Sequence, residues 1–264
     1  MSGASADFDN MNAITFLGTA TSVGVPMLGC SCEVCRSTDP HDTRLRCSAL
    51  VETNGLRLLI DCGPDFRQQA LRHQITNVDA ILLTHEHYDH VGGLDDVRPL
   101  GNTHIYAEER VLGAVRRVMP YCFGEHPYPG SPRIELHELK PFEKQTISTP
   151  NGEVDILPIR VMHNKLPIIG FRIGDMAYIT DASYLPEETL DALQGLKLLV
   201  INALQIPPHP AHFSLEESIA IAKRLHAEHT FFTHFSHKIG LHAVTSATLP
   251  PTLALAHDNL RFEY

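Results

Sequence analysis

Three histidines and two acidic residues lie within residues 85–90, which read His-Glu-His-Tyr-Asp-His. They follow residues 78–83, a mostly apolar run with the length and composition of a buried strand. Because open α/β sheets bind ligands at the carboxyl ends of their strands, we expect a ligand site here. Imidazole and carboxylate are suitable donors for first-row divalent metals. The alternative is a polar surface loop that is rich in histidine, and candidate ligands elsewhere in the chain argue against it.

Three further candidate ligands each follow directly on an apolar, strand-like run. They are His163 after residues 154–162, Asp181 after 177–180 and His234 after 230–233. Taken alone, a histidine in such a place is as often a solvated or core residue as a ligand. Strand ends of a layered α/β fold can converge on one edge, so these placements together with His85 favour one shared metal site. Asp61 also ends a strand, where it either orients a ligand or merely forms the turn.

Most of the remaining chain alternates between strand-like and helix-like patterns. Asn54-Gly55 predicts a two-residue hairpin turn, and Ser214-Leu215-Glu216-Glu217 predicts a capping box that starts a helix. Strands are predicted at 13–18, 48–53, 56–61, 78–83, 104–107, 135–139, 145–149, 154–162, 168–173, 177–180, 198–203 and 230–233. Helices are predicted at 64–73, 95–100, 108–117, 187–193 and 214–226. No linker or repeat divides this pattern, so we expect one α/β domain over residues 1–264, with 1–12 as a flexible extension.

The sequence carries a formal charge of −10 at pH 7. This charge argues against non-specific binding to polynucleotide backbones, because such binding needs a basic protein surface. The negative net charge is compatible with a small anionic substrate, because bound metal ions would dominate the electrostatic field at the site. No apolar run approaches the ~20 residues of a membrane span. Residues 1–12 lack the basic-then-apolar pattern of a secretory signal. We therefore expect a cytoplasmic protein without membrane contact.

Six cysteines are present, and three of them cluster within six residues, at Cys30, Cys32 and Cys35. Without an export signal, a disulfide framework is not expected. Three thiols at this spacing can bind zinc with a fourth ligand from elsewhere, whereas a redox switch or plain packing are the alternatives. Cys47 is close enough in sequence to be a substitute ligand. Cys62 and Cys122 are expected to be packing residues.

These residues carry a family resemblance that covers nearly the whole chain. The motif His85-x-His87-x-Asp89-His90, followed in order by His163, Asp181 and His234, resembles the full metal-ligand series of the metallo-β-lactamase-fold hydrolases. Within that superfamily, Gly29-Cys30-x-Cys32-x-x-Cys35, Cys47-Ser48 and Thr233-His234-x-Ser236-His237 are similar to the phosphoribosyl cyclic phosphate phosphodiesterases of phosphonate breakdown. The resemblance implies a four-layer αββα sandwich, two-metal hydrolysis of phosphodiesters and often a dimer.

The resemblance also implies a role for each matched residue. One metal would be held by His85, His87 and His163, and the other by Asp89, His90 and His234, with Asp181 bridging. Asp89 can also accept a proton from the nucleophile. His212 would protonate the leaving group, where a near-neutral pKa suits the task, unless it is only a surface histidine before a helix. Cys30, Cys32, Cys35 and His237 would hold a separate structural zinc. The active-site pair would be zinc or manganese, since these ligand types permit several metals.

We therefore expect a metal-dependent phosphodiesterase for a small or cyclic anionic substrate, with no polymeric nucleic acid as partner and with a homodimer as the family's usual assembly. One alternative is another hydrolase of the same fold, acting on a thioester, a lactam or the 3′ end of transfer RNA. Another is a non-catalytic relative similar to the pyrroloquinoline quinone biosynthesis protein B. A third is a zinc-dependent structural or interaction protein.

Residues 120–132 are rich in proline, glycine and aromatics. We expect them to form either a rim over a pocket or a loop with only a structural role.

Overall fold

Strands of two mixed sheets dominate the computed structural model, which describes residues 12–124 and 126–264. The first sheet comprises β1 (Ala13–Gly18), β2 (Ser48–Thr53), β3 (Leu56–Ile60), β4 (Ala80–Leu82), β5 (Asn102–Ala107), β6 (Arg133–Glu138) and β14 (Arg261–Glu263). The second comprises β7 (Gln145–Thr149), β8 (Gly152–His163), β9 (Leu166–Ile173), β10 (Met176–Ile179), β11 (Leu198–Asn202), β12 (His229–Thr233) and β13 (Leu253–Leu255). Their strand orders are β14-β1-β2-β3-β4-β5-β6 and β13-β12-β11-β10-β9-β8-β7.

The helices of the described residues are short. The α-helices are α1 (Phe66–Arg72), α2 (Tyr88–Val91), α3 (Glu109–Val118), α4 (Glu187–Ala192), α5 (Leu215–Leu225) and α6 (His242–Ser246). Turns of 3₁₀ helix occur at Val34–Arg36, Pro40–Asp42, Leu94–Leu100, Pro120–Cys122 and His237–Ile239. None of these helices is long and apolar enough to cross a membrane.

The central strands are apolar on both faces because each face belongs to a different core. In β11, Leu198 and Val200 pack between the two sheets, whereas Leu199 and Ile201 pack on the outer face of the second sheet. In β3, Leu59 likewise faces the outer side of the first sheet. Successive side chains of a strand point to opposite faces, so covering both faces produces the unbroken apolar runs of the sequence.

Helices cover the outer face of each sheet. Phe66 of α1 and Val111 of α3 belong to the core on the outside of the first sheet. Leu190 of α4 and Leu225 of α5 belong to the core on the outside of the second. The order is therefore helix, sheet, sheet, helix, which confirms the predicted αββα sandwich.

Strand direction brings the chemically important strand ends together. Strands β3 to β6 run parallel to one another, as do β10 to β13. Strand β8 is antiparallel to β9 and β9 to β10, so β8 and β10 point the same way. The carboxyl ends of β8, β10 and β12 thus share one edge of the second sheet, and those of β3 and β4 share one edge of the first.

Several local predictions need correction. The last residues of the histidine cluster and Val91 form helix α2, so the turn predicted at 91–93 is confined to Gly92 and Gly93. The predicted helix at 95–100 is a 3₁₀ segment with Pro99 inside it, because proline cannot supply the N–H of a regular α-helix. The predicted helix at 64–73 begins at Phe66. The Asn54-Gly55 hairpin is confirmed, with φ of 49° and 76° at the two turn residues. Apart from Asn12, the predicted N-terminal extension lies outside the described residues.

Candidate metal centre

The first cluster of candidate ligands combines the end of β4 with the end of β8. Ligand atoms of His85, His87 and His163 all lie within 4.8 Å of one another. Nε2 of His85 is 3.0 Å from Nδ1 of His87. Nδ1 of His163 donates to the carbonyl oxygen of Ala211 at 2.8 Å, which leaves its Nε2 for the cluster. Three imidazoles facing one point match the nitrogen-rich ligand sets of zinc sites.

The second cluster combines α2 with the end of β12. Ligand atoms of Asp89, His90 and His234 again lie within 4.8 Å of one another. Asp181 Oδ2 lies 3.1 Å from Nε2 of His90 and 3.1 Å from Nε2 of His234. Asp181 also forms a three-donor group with His85 and His90. The carboxylate of Asp181 therefore lies between the two clusters, as a bridging ligand would.

The ring nitrogens here are not satisfied by the protein alone. His90 Nε2 and both ring nitrogens of His234 are buried and make no hydrogen bond within the described residues, although carboxylate oxygens lie close to them. Buried polar atoms are normally paired, and an unpaired one costs roughly 1–3 kcal/mol. Nitrogen lone pairs and carboxylates that converge without hydrogen-bonding one another are what a pair of divalent metals requires. The residues present therefore fit such a pair.

Electrostatics hold the two carboxylates of this centre in their charged form. Burial alone would raise the pKa of Asp181, but the facing imidazoles of His234 and His90 lower it well below its usual range. For Asp89, His234 and His90 likewise outweigh burial and lower the pKa. Both side chains are thus available as anionic ligands.

Three residues at the strand ends have left-handed backbone conformations. The φ angles are 59° for Asp61, 55° for Asp181 and 61° for His234. Non-glycine residues adopt this region uncommonly, and aspartate tolerates it better than most. The conformation turns the chain sharply after β3, β10 and β12. Side chains that follow the strand are thereby directed into the centre.

Asp61 lies behind the candidate ligands. It contacts one of them, His90, and also Thr84, which precedes His85. Its Oδ2 is 2.7 Å from Nδ1 of His90, and its Oδ1 accepts the main-chain N–H of Thr84 at 2.9 Å. The Thr84 hydroxyl also lies 3.0 Å from Nδ1 of His85. Thr84 was not singled out in the sequence, because a threonine next to a ligand carries no distinctive pattern.

The turn that carries Asp61 packs directly on α2. The main-chain N–H of Cys62 donates to the carbonyl oxygen of His90 at 2.8 Å. A Cβ on Gly63 would lie 2.0 Å from the carbonyl oxygen of Asp89, so only glycine allows this approach. The close contact fixes the position of α2, and with it Asp89 and His90.

His212 lies beside the centre but in none of the metal-binding groups described above. Its Nδ1 is 3.6 Å from Asp181 Oδ1, and its ring centroid is 4.6 Å from that of His163. Burial, with His234 as the next cause, lowers the pKa of His212 to about 3. This differs from the near-neutral pKa expected from the sequence, because the side chain is largely buried instead of standing in solvent.

The cysteine cluster forms a separate four-donor group with His237. Nδ1 of His237 lies 3.3 Å from the sulfur atoms of both Cys30 and Cys32 and 3.5 Å from that of Cys35. Ligands on a tetrahedral zinc with the usual Zn–S and Zn–N lengths would be roughly 3.5 Å apart. The main-chain N–H of Cys35 donates to Cys32 and lowers the pKa of that thiol to about 6. The geometry fits a closed structural site.

The other three cysteines are buried in the cores. Cys47 contacts the hydroxyls of Tyr178 at 3.1 Å and Thr233 at 3.5 Å, inside the core between the sheets. Cys47, which directly precedes β2, lies outside the four-donor group and is therefore not placed to substitute as its ligand. Cys62 and Cys122 pack in the core on the outside of the first sheet, as expected.

A cleft adjoins Glu86 and Tyr88, which alternate with candidate ligands in the sequence, but none of the candidate ligands lines it. It has a volume of about 340 Å³, and its lining includes Glu86, Tyr88, Val118, Met119 and Tyr121. Tyr88 lies between two candidate ligands in sequence, and 71% of it is exposed. From the 120–132 segment, Tyr121 lines this cleft. An ion pair with Arg110 neutralises Glu86, and no sequence motif indicated this contact.

Comparisons with known proteins agree with this geometry. Residues 56–235, more than half of the chain, match the Beta-lactamase superfamily domain. A crystal structure described as a new diphosphatase from the PhnP family is 41% identical, with a TM-score of 0.86, over 96% of this chain and 98% of that chain. Zinc-bound PqqB from Methylobacterium extorquens shares the fold, with 20% identity and a TM-score of 0.74 over 96% of this chain and 100% of that one.

One relative is named for acyl transfer and not for phosphate chemistry. An octanoyltransferase from Porphyromonas gingivalis is 43% identical over 249 residues, which cover 92% of this chain and 50% of that protein. The chain therefore spans half the length of this relative. The family match, the fold and the clustered candidate ligands lead to one assignment: the chain belongs to the beta-lactamase superfamily and has a PhnP-like metallo-β-lactamase fold.

Proposed function

We propose that the protein hydrolyses a phosphodiester or diphosphate bond in a small anionic substrate. The observation that carries this proposal is the pair of three-donor clusters that share Asp181. His85, His87 and His163 would hold one metal, and Asp89, His90 and His234 the other. A metal pair supplies charge neutralisation for the phosphoryl oxygens and lowers the pKa of water.

The remaining chemistry belongs to side chains of the chain. Asp89, ionised and half-buried, can accept a proton from the attacking water while it stays at the centre. Asp61 keeps the proton of His90 on Nδ1, so that Nε2 remains a ligand. A bound phosphate would place negative charge beside His212 and favour its protonated form, which could then donate to the leaving oxygen.

Two features favour phosphate chemistry over other reactions of this fold. The diphosphatase of the PhnP family is similar over nearly the full length of both chains. The cysteine cluster and His237 also match the pattern of that subgroup, and we propose that they hold a structural zinc. Acyl chemistry is the second candidate, because one relative is named an octanoyltransferase, although this chain spans only half of that protein.

The direct test is Asp181→Ala assayed with bis(p-nitrophenyl) phosphate. Loss of the shared carboxylate should abolish hydrolysis and reduce the bound metal, while circular dichroism stays like that of the wild type. Asp191→Ala, in helix α4 on the outer face of the second sheet, serves as the matched control. Full turnover by Asp181→Ala would refute the bridging assignment.

A substrate panel then decides between reaction classes. Wild-type protein with measured metal content should hydrolyse phosphodiesters or diphosphates faster than acyl thioesters or lactams. Preference for a medium-chain acyl thioester, lost in Asp181→Ala, would replace the phosphoesterase proposal with the acyl alternative.

A further inference from the structure

A third constellation of metal-binding side chains lies on the first sheet, among residues that the catalytic centre does not use. His104 and Tyr106 are on β5, and Glu135 and His137 are on β6. Nδ1 of His104 is 3.0 Å from Nε2 of His137 and 3.6 Å from a carboxylate oxygen of Glu135. Ligand atoms of these two histidines and the glutamate all lie within 4.8 Å of one another.

Strand register explains why the three side chains meet. Strands β5 and β6 are parallel, with His104 opposite Glu135 and Tyr106 opposite His137. Side chains two residues apart on a strand point to the same face, so all four share one face. Tyr106 belongs to the core between the sheets, and its ring stacks on that of His137 with a centroid distance of 4.4 Å and an angle of 16°. The stack fixes the orientation of the His137 ring.

The geometry resembles that of the two metal sites already described. The 3.0 Å separation of the imidazole nitrogens equals that between His85 and His87. Tetrahedral zinc with ordinary Zn–N lengths would set its ligand atoms roughly 3.3 Å apart. A hydrogen bond between His104 and His137 would explain the 3.0 Å distance between their ring nitrogens. It would not explain why the carboxylate of Glu135 is directed at the same point.

The constellation is accessible and separate from the catalytic centre. The side chains of His104 and Glu135 are 36% and 60% exposed. His104 lies two residues before Tyr106, which pairs with Leu82 at the carboxyl end of β4. The site is therefore set back along the strand from the edge that carries His85. Among the described residues, strand β6 ends its sheet and pairs there only with β5, directly after the long 120–132 segment.

We propose that His104, Glu135 and His137 form an additional binding site for a zinc-like divalent cation. Two imidazoles and one carboxylate are a common zinc set, with a fourth position open to water or an external ligand. The cation would join the edge strand β6 to β5. Its binding would therefore reduce opening of the edge strand, in addition to adding one equivalent of metal.

The test uses the full-length protein with its other sites already filled. Protein saturated with zinc is dialysed at fixed, buffered free zinc, and bound zinc is counted by plasma mass spectrometry. Wild type should hold one zinc more than His137→Ala or His104→Ala. His73→Ala, which removes a histidine elsewhere on the surface, should hold as much as wild type. Hydrogen exchange of amides 133–138 should slow when zinc is added to wild type, but not to His104→Ala.

Two variants keep the outcome decisive. If His137→Ala loses the stack on Tyr106 and fails to fold, His104→Ala still tests the site, because its ring lies outside that stack. Equal zinc counts in wild type and a folded variant would overturn the proposal. Hydrolysis should be unchanged in His104→Ala, so failure of the proposed function and failure of this site give different results.

Discussion

The candidate metal centre depends on the tautomer of His90. The carboxylate of Asp61 determines which ring nitrogen of His90 carries the proton. Asp61 is fully buried, and its Oδ2 lies 2.7 Å from Nδ1 of His90. A carboxylate can only accept, so it holds the His90 proton on Nδ1 and leaves Nε2 toward Asp181 and Asp89. The sequence placed Asp61 at a strand end but could not choose between a turn residue and this contact.

Asp61→Asn should weaken metal binding without unfolding the protein. Asparagine tolerates the left-handed backbone at this position and can still accept the N–H of Thr84. Its amide group would donate to Nδ1 of His90 and move the proton to Nε2, which then cannot bind metal. Loss of such a supporting contact typically costs 10- to 100-fold in metal affinity. A competition titration with a chromophoric chelator measures the change. Thr84→Ser keeps the hydroxyl and serves as the control; equal affinities in all three proteins would contradict the role.

His212→Ala should separate leaving-group protonation from the rest of the reaction. Metal content should be unchanged, since His212 lies outside both three-donor clusters. An alkyl or sugar alkoxide needs a proton as it leaves, whereas p-nitrophenolate does not. General acid help is worth roughly 10²–10⁴-fold, so kcat/KM should fall far more for a cyclic ribose phosphate than for an aryl diester. Equal losses on both substrates would mean that His212 only positions the phosphate.

The candidate ligands could be identified from the sequence, whereas the contacts behind them could not. His85, His163, Asp181 and His234 each follow an apolar run, and such a pattern is visible without coordinates. The Ala211 carbonyl that orients His163 and the Arg110 that pairs with Glu86 follow no pattern. Both contacts depend on how distant loops pack, which strand periodicity does not determine.

At the scale of elements, the loop that carries the cysteines is tied to the end of β12. Thr21 N–H donates to the Phe235 carbonyl at 2.9 Å, and Phe235 N–H donates to Thr19 at 2.8 Å. The Arg44 guanidinium lies 4.6 Å from the Phe235 ring centroid. Because Phe235 follows His234 and precedes Ser236-His237, order in this loop supports the position of a catalytic ligand.

His237→Ala should therefore lower the stability of the fold while the metal content of the catalytic centre stays the same. A closed site of three thiolates and one imidazole contributes directly to folding, so its loss should reduce Tm and remove one equivalent of zinc. The two metals of the catalytic centre should remain. Calorimetry and elemental analysis of one preparation check both statements. Retention of all zinc by the variant would exclude His237 as the fourth ligand.

Buried strands within long apolar runs were predictable, but two of the three-residue strands were not. Residues 198–203 form an apolar run that is covered on both faces, and β11 lies there. Strands β13 and β14 have three residues each, too few to establish a period of two. Helix α2 escapes prediction because it has only four residues, two of which are the candidate ligands Asp89 and His90, and therefore shows no apolar stripe.

At the scale of the molecule, the candidate ligands come from both sheets. His85, His87, Asp89 and His90 follow β4 of the first sheet, whereas His163, Asp181 and His234 end strands of the second. The apolar core between the sheets holds the layers together, and the metal-binding residues add a second connection at one edge. Which strands form which sheet was not evident from the sequence, since both sheets give similar apolar runs.

Removal of metal should therefore weaken the whole fold, not only the activity. Ligands that bind only the native state stabilise it by about 4 kcal/mol at a concentration of 1,000 times Kd. A strong chelator should lower the denaturant midpoint of the wild type, and added zinc or manganese should restore it. Asp181→Ala should respond less, because its catalytic centre binds little metal to begin with. In the double variant His237→Ala/His104→Ala, which lacks both the structural site and the proposed edge-strand site, the response that remains reports the catalytic centre alone. An unchanged midpoint in that variant would mean that metal at the catalytic edge does not hold the sheets together.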